Sequence, residues 1–248
     1  MKIYDELSEW YDIVYGLPKG YDEVFVDYLD KLFKIFGVKK VLDCACGTGN
    51  PSIGLILKGY QVISSDFNQK MLERAKINAS KQGITLTTYV ADWRELPSKI
   101  NDKFDAIVLT GNSFYHLDND EDRLTVLRNF YRLLKKGGIC YIDYDFWDID
   151  AIIREGRFKL YGVYNLGEKN IIAFRIYEYD FEKSLQILKL FIISEEKGEA
   201  AIEKIIPIPG WMFETEELFG ITKKAGFSII KPASRPGVWN MRAMVAIK

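Results

Sequence analysis

Between residues 41 and 144, short runs of apolar and β-branched residues alternate with stretches whose apolar positions recur every three to four residues. That is the pattern of parallel strands joined by crossover helices. Val41-Leu42-Asp43 leads into Gly47-Thr48-Gly49 and then Pro51, a residue suited to the first position of a helix, which Gly59 would stop. Gln61 to Ser65 reads as a second strand ending at Asp66, after which Met71, Leu72, Ala75 and Ala79 share one helical face up to Gly83. Ile84 to Val90 reads as the third strand. The near-continuous apolar run from Phe104 to Thr110 predicts a central strand buried on both faces. Leu124, Leu127, Tyr131 and Leu134 mark another helix, with Gly137-Gly138 as its stop and Ile139 to Tyr144 as the fifth strand.

The rhythm then changes. Phe158 to Tyr164, Ile171 to Phe181, Leu185 to Ser194 and Ala200 to Ile208 are strand-like and separated by turn residues, which predicts an inserted antiparallel meander. After Trp211 a helix from the N-cap Thr215 to Ala225 precedes strands near Phe227 to Lys231 and Met241 to Ile247. Upstream, Tyr4, Leu7, Trp10, Tyr11 and Val14 form an aromatic helical stripe, and Val24, Phe25, Leu29, Leu32 and Phe36 form a second apolar one. The prediction is an α/β fold, a doubly wound seven-stranded mostly parallel sheet of Rossmann-like kind carrying an inserted antiparallel β meander.

Composition narrows the function classes. The 34 Lys and Arg against 35 Asp and Glu leave no global field favouring nucleic acid or an anionic membrane. Lys39-Lys40, Lys135-Lys136 and Lys223-Lys224 read as charges complementing helix ends. No stretch approaches the ~20 apolar residues of a membrane span and the N-terminus lacks a leader pattern, so a cytoplasmic location is expected. The three cysteines suit neither a disulfide framework nor a zinc site, and no metal is expected. A homo-oligomer is compatible with everything above.

The candidate chemistry sits in the loop after the first strand, DCACGTGN. In an open parallel sheet, ligands bind beyond the carboxyl ends of the strands where strand order reverses. Gly47 and Gly49 let a ligand approach the backbone, and Asp66, about 20 residues after Asp43, is placed to accept ribose hydroxyls. Nicotinamide enzymes share both features. The acid at the end of the strand suits a cationic ligand and would repel pyrophosphate. Ala91-Asp92-Trp93 after the third strand offers a carboxylate for an adenine amine and an indole for its ring face.

VLDCACGTG, SSDFNQKML, ADW and LLKKGG together resemble the ordered motifs of class I S-adenosylmethionine methyltransferases over roughly residues 38 to 145. ACGTG, the ADW step and Gly111 to Leu117 resemble its glycine/sarcosine N-methyltransferase branch. The resemblance implies S-adenosylmethionine as cofactor and a small-molecule acceptor, such as an amine or amino acid. It places Asp43, Ala45 and Gly47 at the methionine end of the cofactor, Asp66 at the ribose, and Asp92 and Trp93 at the adenine, with Gly49, Phe67 and Met71 as further cofactor-binding residues. Thr110 and Gly111 would lie near the sulfonium, with Asn112, Tyr115 and His116 facing the substrate as catalytic candidates. Tyr4, Trp10, Tyr11 and Tyr15 resemble an aromatic lid, the first three counted among the cofactor-binding residues. The implied division is residues 1–37 as helical lid, 38–150 as cofactor-binding core, 151–213 as substrate-covering insert and 214–248 as completion of the sheet.

The branch grips its substrate carboxylate with an arginine just after the fifth strand, where IDYDFWD puts Asp145. The acceptor is therefore open between a cationic amine and an acid held by Arg154, Arg157 or Arg175. Trp147, Tyr161, Tyr177 and Tyr179 are either cavity lining or meander core. O- or C-methyl transfer, a nicotinamide oxidoreductase and a non-catalytic cofactor-binding module are the rival readings, the last of which predicts an exposed apolar face on the meander.

Overall fold

The computed structural model describes residues 2–17, 19–144, 157–238 and 241–248. Its main sheet contains β1 (Lys40–Asp43), β2 (Gln61–Asp66), β3 (Thr87–Val90), β4 (Phe104–Leu109), β5 (Leu134–Tyr144), β10 (Ile229–Arg235) and β11 (Met241–Ile247). They lie in the order β10-β11-β5-β4-β1-β2-β3. The first five pair in parallel, and β11 runs antiparallel to both β5 and β10. The chain winds outward from β1 through β2 to β3, then restarts at β4 on the other side of β1. The crevice above β1 and β4 is thus the switch point where this architecture binds ligands.

The helices are α1 (Lys2–Leu7), α2 (Tyr11–Val14), α3 (Glu23–Phe36), α4 (Ser52–Leu57), α5 (Gln69–Lys81), α6 (Leu96–Lys99), α7 (Asp120–Leu133) and α8 (Thr215–Lys224). Asp22 caps α3 by accepting the Phe25 N–H, and Phe25, Val26, Leu29 and Phe33 form its buried stripe. This stripe packs with Val41, Leu55, Val108 and Tyr141 under the sheet. Ala106 to Leu109 of β4 are fully buried, as a strand covered on both faces requires.

Several boundaries differ from the sequence reading. Leu134 to Gly138 belong to β5, not to a helix end. Gly137 takes φ 76° and the β4–β5 register shifts opposite Phe104 and Ala106, so the two glycines bend a strand instead of stopping a helix. Lys135 and Lys136 consequently lie in a strand, as Lys40 does. The N-terminal stripe breaks into two short helices at Ser8 to Trp10. The third strand starts at Thr87, and α8 is capped by Glu214 in a reciprocal arrangement with Glu217, leaving the Thr215 hydroxyl buried.

The second sheet is the antiparallel β6 (Phe158–Asn165), β7 (Asn170–Asp180), β8 (Leu185–Glu196) and β9 (Glu199–Trp211), in that order. As an edge strand β9 tolerates Pro207 and Pro209, so it runs past Ile208, where the sequence pattern ends. Alternation along β8 buries Gln186, Leu188, Leu190, Ile192 and Ser194. This inner face shares one hydrophobic core with Leu7, Val14, Phe114 and Tyr115.

The N-terminal helices span between the two sheets. Asp5 accepts from the Asn68 amide at 2.7 Å, and Asp12 accepts from Arg74 at 2.9 Å and Asn78 at 2.8 Å, fastening α1 and α2 to α5. On the other side Tyr164 donates to the Val14 carbonyl, and Lys204 reaches Glu6. Among the described residues no helix is long and apolar enough to cross a membrane.

Candidate active site

The loop after β1 is held from below. Asp43 is fully buried beneath it and accepts from Ser52 Oγ at 2.6 Å, while Ser52 also meets Ser64 at 2.7 Å. Burial pushes the Asp43 carboxyl up to about 7, against the lowering effect of Ser52. Its Oδ1 has no hydrogen-bond partner. Gly47 takes φ 52° and donates its N–H to Asp66 Oδ2 at 3.0 Å, while Asp66 Oδ1 accepts from the Asn68 N–H at 2.9 Å. Asp66 is pushed up to about 6 by burial, opposed by those amides. Each of its oxygens keeps a lone pair for a ligand hydroxyl.

Above the loop lies a cavity of about 780 Å3, counted out to its mouth, walled by Tyr4, Tyr11 and Tyr15 from the N-terminal helices, Ala45 and Gly47 from the loop, and Leu188 and Ile208 from the second sheet. Asp66, Phe67, Met71, Trp93, Thr110, Gly111, Tyr115 and His116 also line it. Trp93 is fixed by donating its indole N–H to the Cys44 carbonyl at 2.6 Å. Phe67, Trp93 and His116 also wall a second cavity of about 990 Å3 toward Asp92 and Trp211. Tyr11, Tyr15, Gly111, Tyr115 and Leu188 are shared with a third, of about 470 Å3, which adds Asn112, Tyr161, Arg175, Tyr177, Gln186 and Met241. Three neighbouring cavities that share wall residues therefore form a channel-like row across the carboxyl ends of β1 and β4.

The structure brings most of the sequence-derived candidates onto this channel and sets some aside. Asp43 supports the loop from behind, and Gly49 lies off the wall against Ile53. Trp10 packs on the core at the start of α2. Asp92 faces the second cavity with both oxygens engaged by Arg94, which also pairs with Asp122, and Arg94 holds the Asp92 carboxyl below its usual range. Arg157 is exposed, and Arg154, Asp145 and Trp147 lie outside the described residues. Tyr179 packs against the core and stacks on Tyr177.

His116 is committed to structure through both ring nitrogens. Nδ1 meets the Pro209 carbonyl at 3.1 Å and Nε2 meets the Tyr4 hydroxyl at 2.5 Å. A carbonyl only accepts, so Nδ1 carries the proton and Tyr4 donates to Nε2. Burial lowers the ring to about 4, so it is neutral across the physiological range. The histidine ties α1, the β4 loop and β9 together.

Asn112 sits in the left-handed region at φ 57°, ψ 25°, a conformation Asn tolerates better than most residues. Asp143 holds it there, accepting the Gly111 N–H at 3.0 Å and the Asn112 N–H at 2.7 Å. Arg235, as fully buried as Asp143, pairs with that carboxylate at 2.9 Å and lies 4.2 Å from the Phe25 ring centroid. Sequence reasoning passed over this pair. An acid inside the apolar run of β5 announces a need for a partner, but nothing in the spacing points to Arg235. Asn50 was also missed. It closes the glycine loop, lines the central cavity, and leaves its buried Nδ2 without a partner.

In the third cavity Arg175 is the one basic side chain among the described lining residues. Its guanidinium lies 4.5 Å from the Tyr177 ring centroid and 5.3 Å from that of Tyr161, and donates to the Tyr161 hydroxyl at 3.1 Å. Gln186, 1% exposed, has a partnerless Oε1 in the same wall.

Residues 41–138 match a family described as a methyltransferase domain. The chain is 38% identical over 165 residues to a glycine/sarcosine N-methyltransferase of Aphanothece halophytica, covering 66% of this chain and 58% of that protein. It is 39% identical over 139 residues to the enzyme of that name from Parasynechococcus marenigrum, covering 54% and 49%. The chain thus spans about half the length of these relatives. Its fold is similar over nearly its whole length to an S-adenosylmethionine-dependent methyltransferase from Clostridium acetobutylicum, with a TM-score of 0.75, 18% identity and coverage of 99% and 98%. Streptomyces venezuelae DesVI aligns with a TM-score of 0.79 at 17% identity, over 96% and 97%. The chain accordingly carries, at residues 41–138 around its switch point, a methyltransferase domain.

Proposed function

We propose that this protein transfers a methyl group from S-adenosylmethionine to the nitrogen of a small amino acid or related amine, with glycine and its N-methylated derivatives as first candidates. The observation that carries the reading is the row of adjacent cavities, with Asp66 and Phe67 in one and Arg175 among tyrosines in the next. The names of the relatives point to the same acceptor class.

The residues fit the cofactor. Asn50 Nδ2 is a buried donor for a carboxylate, Asp66 has acceptor capacity for ribose hydroxyls, and Phe67, Met71 and Trp93 offer apolar walls to a flat ring. Bound there, S-adenosylmethionine supplies a methyl group already activated by its sulfonium. What remains for the protein is alignment and exclusion of water. Tyr11 and Tyr15 are held protonated by burial, so they act as neutral hydroxyls and not as bases. Arg175 takes the acceptor carboxylate, and Asn112 and Tyr115 border the passage between acceptor and cofactor. An alkylamine of pKa ~10 must be neutral to attack. The apolar, aromatic wall favours that neutral form by desolvation.

The test is mass-spectrometric detection of methylated product from glycine, sarcosine and dimethylglycine against a no-enzyme control. Arg175→Gln is expected to raise the acceptor KM about tenfold or more, the scale of a lost charged hydrogen bond. S-adenosylhomocysteine affinity should stay unchanged. Absence of product with all three acceptors, despite cofactor binding, would overturn the acceptor assignment. A non-catalytic role has one observation in its favour, because the second sheet does expose an apolar outer face. Methylated product from any amine decides against it.

A further inference from the structure

Both faces of the second sheet are apolar. The inner one roofs the channel; the outer one carries two continuous rows. Leu160, Phe174, Phe191 and Ile205 stand at paired positions on β6, β7, β8 and β9, and Val163, Ile172, Ile193 and Ile202 form the neighbouring row. Phe174 stacks on Phe191 with ring centroids 4.8 Å apart and planes within 5°, and Phe158 adds its ring 5.3 Å from Phe174. Phe158 is 58% exposed, Leu160 50%, Val163 60%, Ile202 62% and Ile205 47%. Single exposed apolar residues are ordinary, but contiguous rows of them mark a surface that is covered.

We infer that a second copy of this chain docks on this face, sheet against sheet across a twofold axis. The exposed parts of these residues amount to roughly 700 Å2, against the ~800 Å2 that each partner contributes to a stable dimer. Identical faces pack only if they do not repel each other. Glu178 and Lys189, beside one row, neutralise one another at 2.5 Å, and Glu195, beside the other, is engaged by the Asn170 amide at 2.7 Å and the Gly198 N–H at 2.8 Å. Two such sheets stack about 10 Å apart with their strands nearly aligned, and an isologous contact sets each apolar row against its counterpart. The alternation of β8 then puts the interface one residue away from the channel roof, with Phe191 facing the partner and Leu188 and Leu190 facing inward.

Sedimentation equilibrium or light scattering of the purified chain at micromolar concentration tests this. The expected mass is at least twice the monomer's 28.7 kDa. Phe174→Glu with Phe191→Glu should halve it. A second variant, Val163→Lys with Ile202→Lys, changes only side chains already more than half exposed, so it folds whether or not the face is covered, and it should halve the mass too. S-adenosylhomocysteine binding in each variant confirms that the fold survives. A monomeric parent protein, or an unchanged mass in the folded Val163→Lys, Ile202→Lys variant, overturns the inference and leaves the face to a different partner or segment.

Discussion

Asp43, Asp66 and Asp143 are pushed by burial up to about 7, 6 and 6, whereas His116 is lowered to about 4. These shifts have opposite consequences. A carboxyl raised above its unfolded value lends stability below pH ~4 that is lost as the pH rises through the folded value. The histidine lends stability above pH ~6.5 that is lost as the pH falls toward its folded value. Asn at position 43 can still accept from Ser52 but never charges. The thermal midpoint of ligand-free Asp43→Asn, relative to the parent, is therefore expected to climb between pH 4 and 7 in a pH series of thermal scans. His116 is the chain's only histidine, so its ring signals are unambiguous in a proton NMR titration. They should not shift between pH 5.5 and 8, and a midpoint near 6.5 would mean the Tyr4 and Pro209 bonds are not kept in solution.

At the scale of elements, two devices frame the channel. One is the N-terminal pair of helices, latched by the Tyr4 to His116 bond. Tyr4→Phe leaves Nε2 buried without a donor, an expected loss of about 1–3 kcal/mol. Limited proteolysis should then cut the N-terminal segment faster while the rest of the chain resists as before. The other is the β4 loop, gripped by Asp143. An amide in place of that carboxylate can accept at only one oxygen, so Asp143→Asn should raise the acceptor KM several-fold with little change in S-adenosylhomocysteine affinity by calorimetry. The strands, the glycine loop and the Asp66 position were legible in sequence because each depends on local pattern: an apolar run, a forced turn, an acid at a strand end. The Tyr4 stripe was legible as helical, but its break at Ser8 to Trp10 was not, since tertiary contacts decide it. Gly137-Gly138 misled because glycine both ends helices and bends strands. The Asp143–Arg235 pair and the Tyr4–His116 bond join positions far apart in the chain, and no periodicity connects them.

In the molecule as a whole, the second sheet's inner face and the upper side of the main sheet share a single hydrophobic core with α1 and α2. The two sheets should therefore melt together. Leu190→Ala, at a fully buried position of β8, is expected to cost about 2–5 kcal/mol. Calorimetry should show one transition moved to lower temperature, and a separate early transition for the insert would contradict a common core. Roof and floor meet closely at Gly210 of β9, where an added side-chain carbon would lie 1.7 Å from the Tyr115 ring. The two positions consequently cannot drift independently through evolution. Gly210→Val alone should expel the ring from the channel and Tyr115→Ala alone should leave a void, yet the double change fills one with the other. A redesign toward bulkier acceptors therefore has to move through this pair as a compensating exchange, and homologous chains with a larger residue at position 210 are expected to carry a smaller one at position 115.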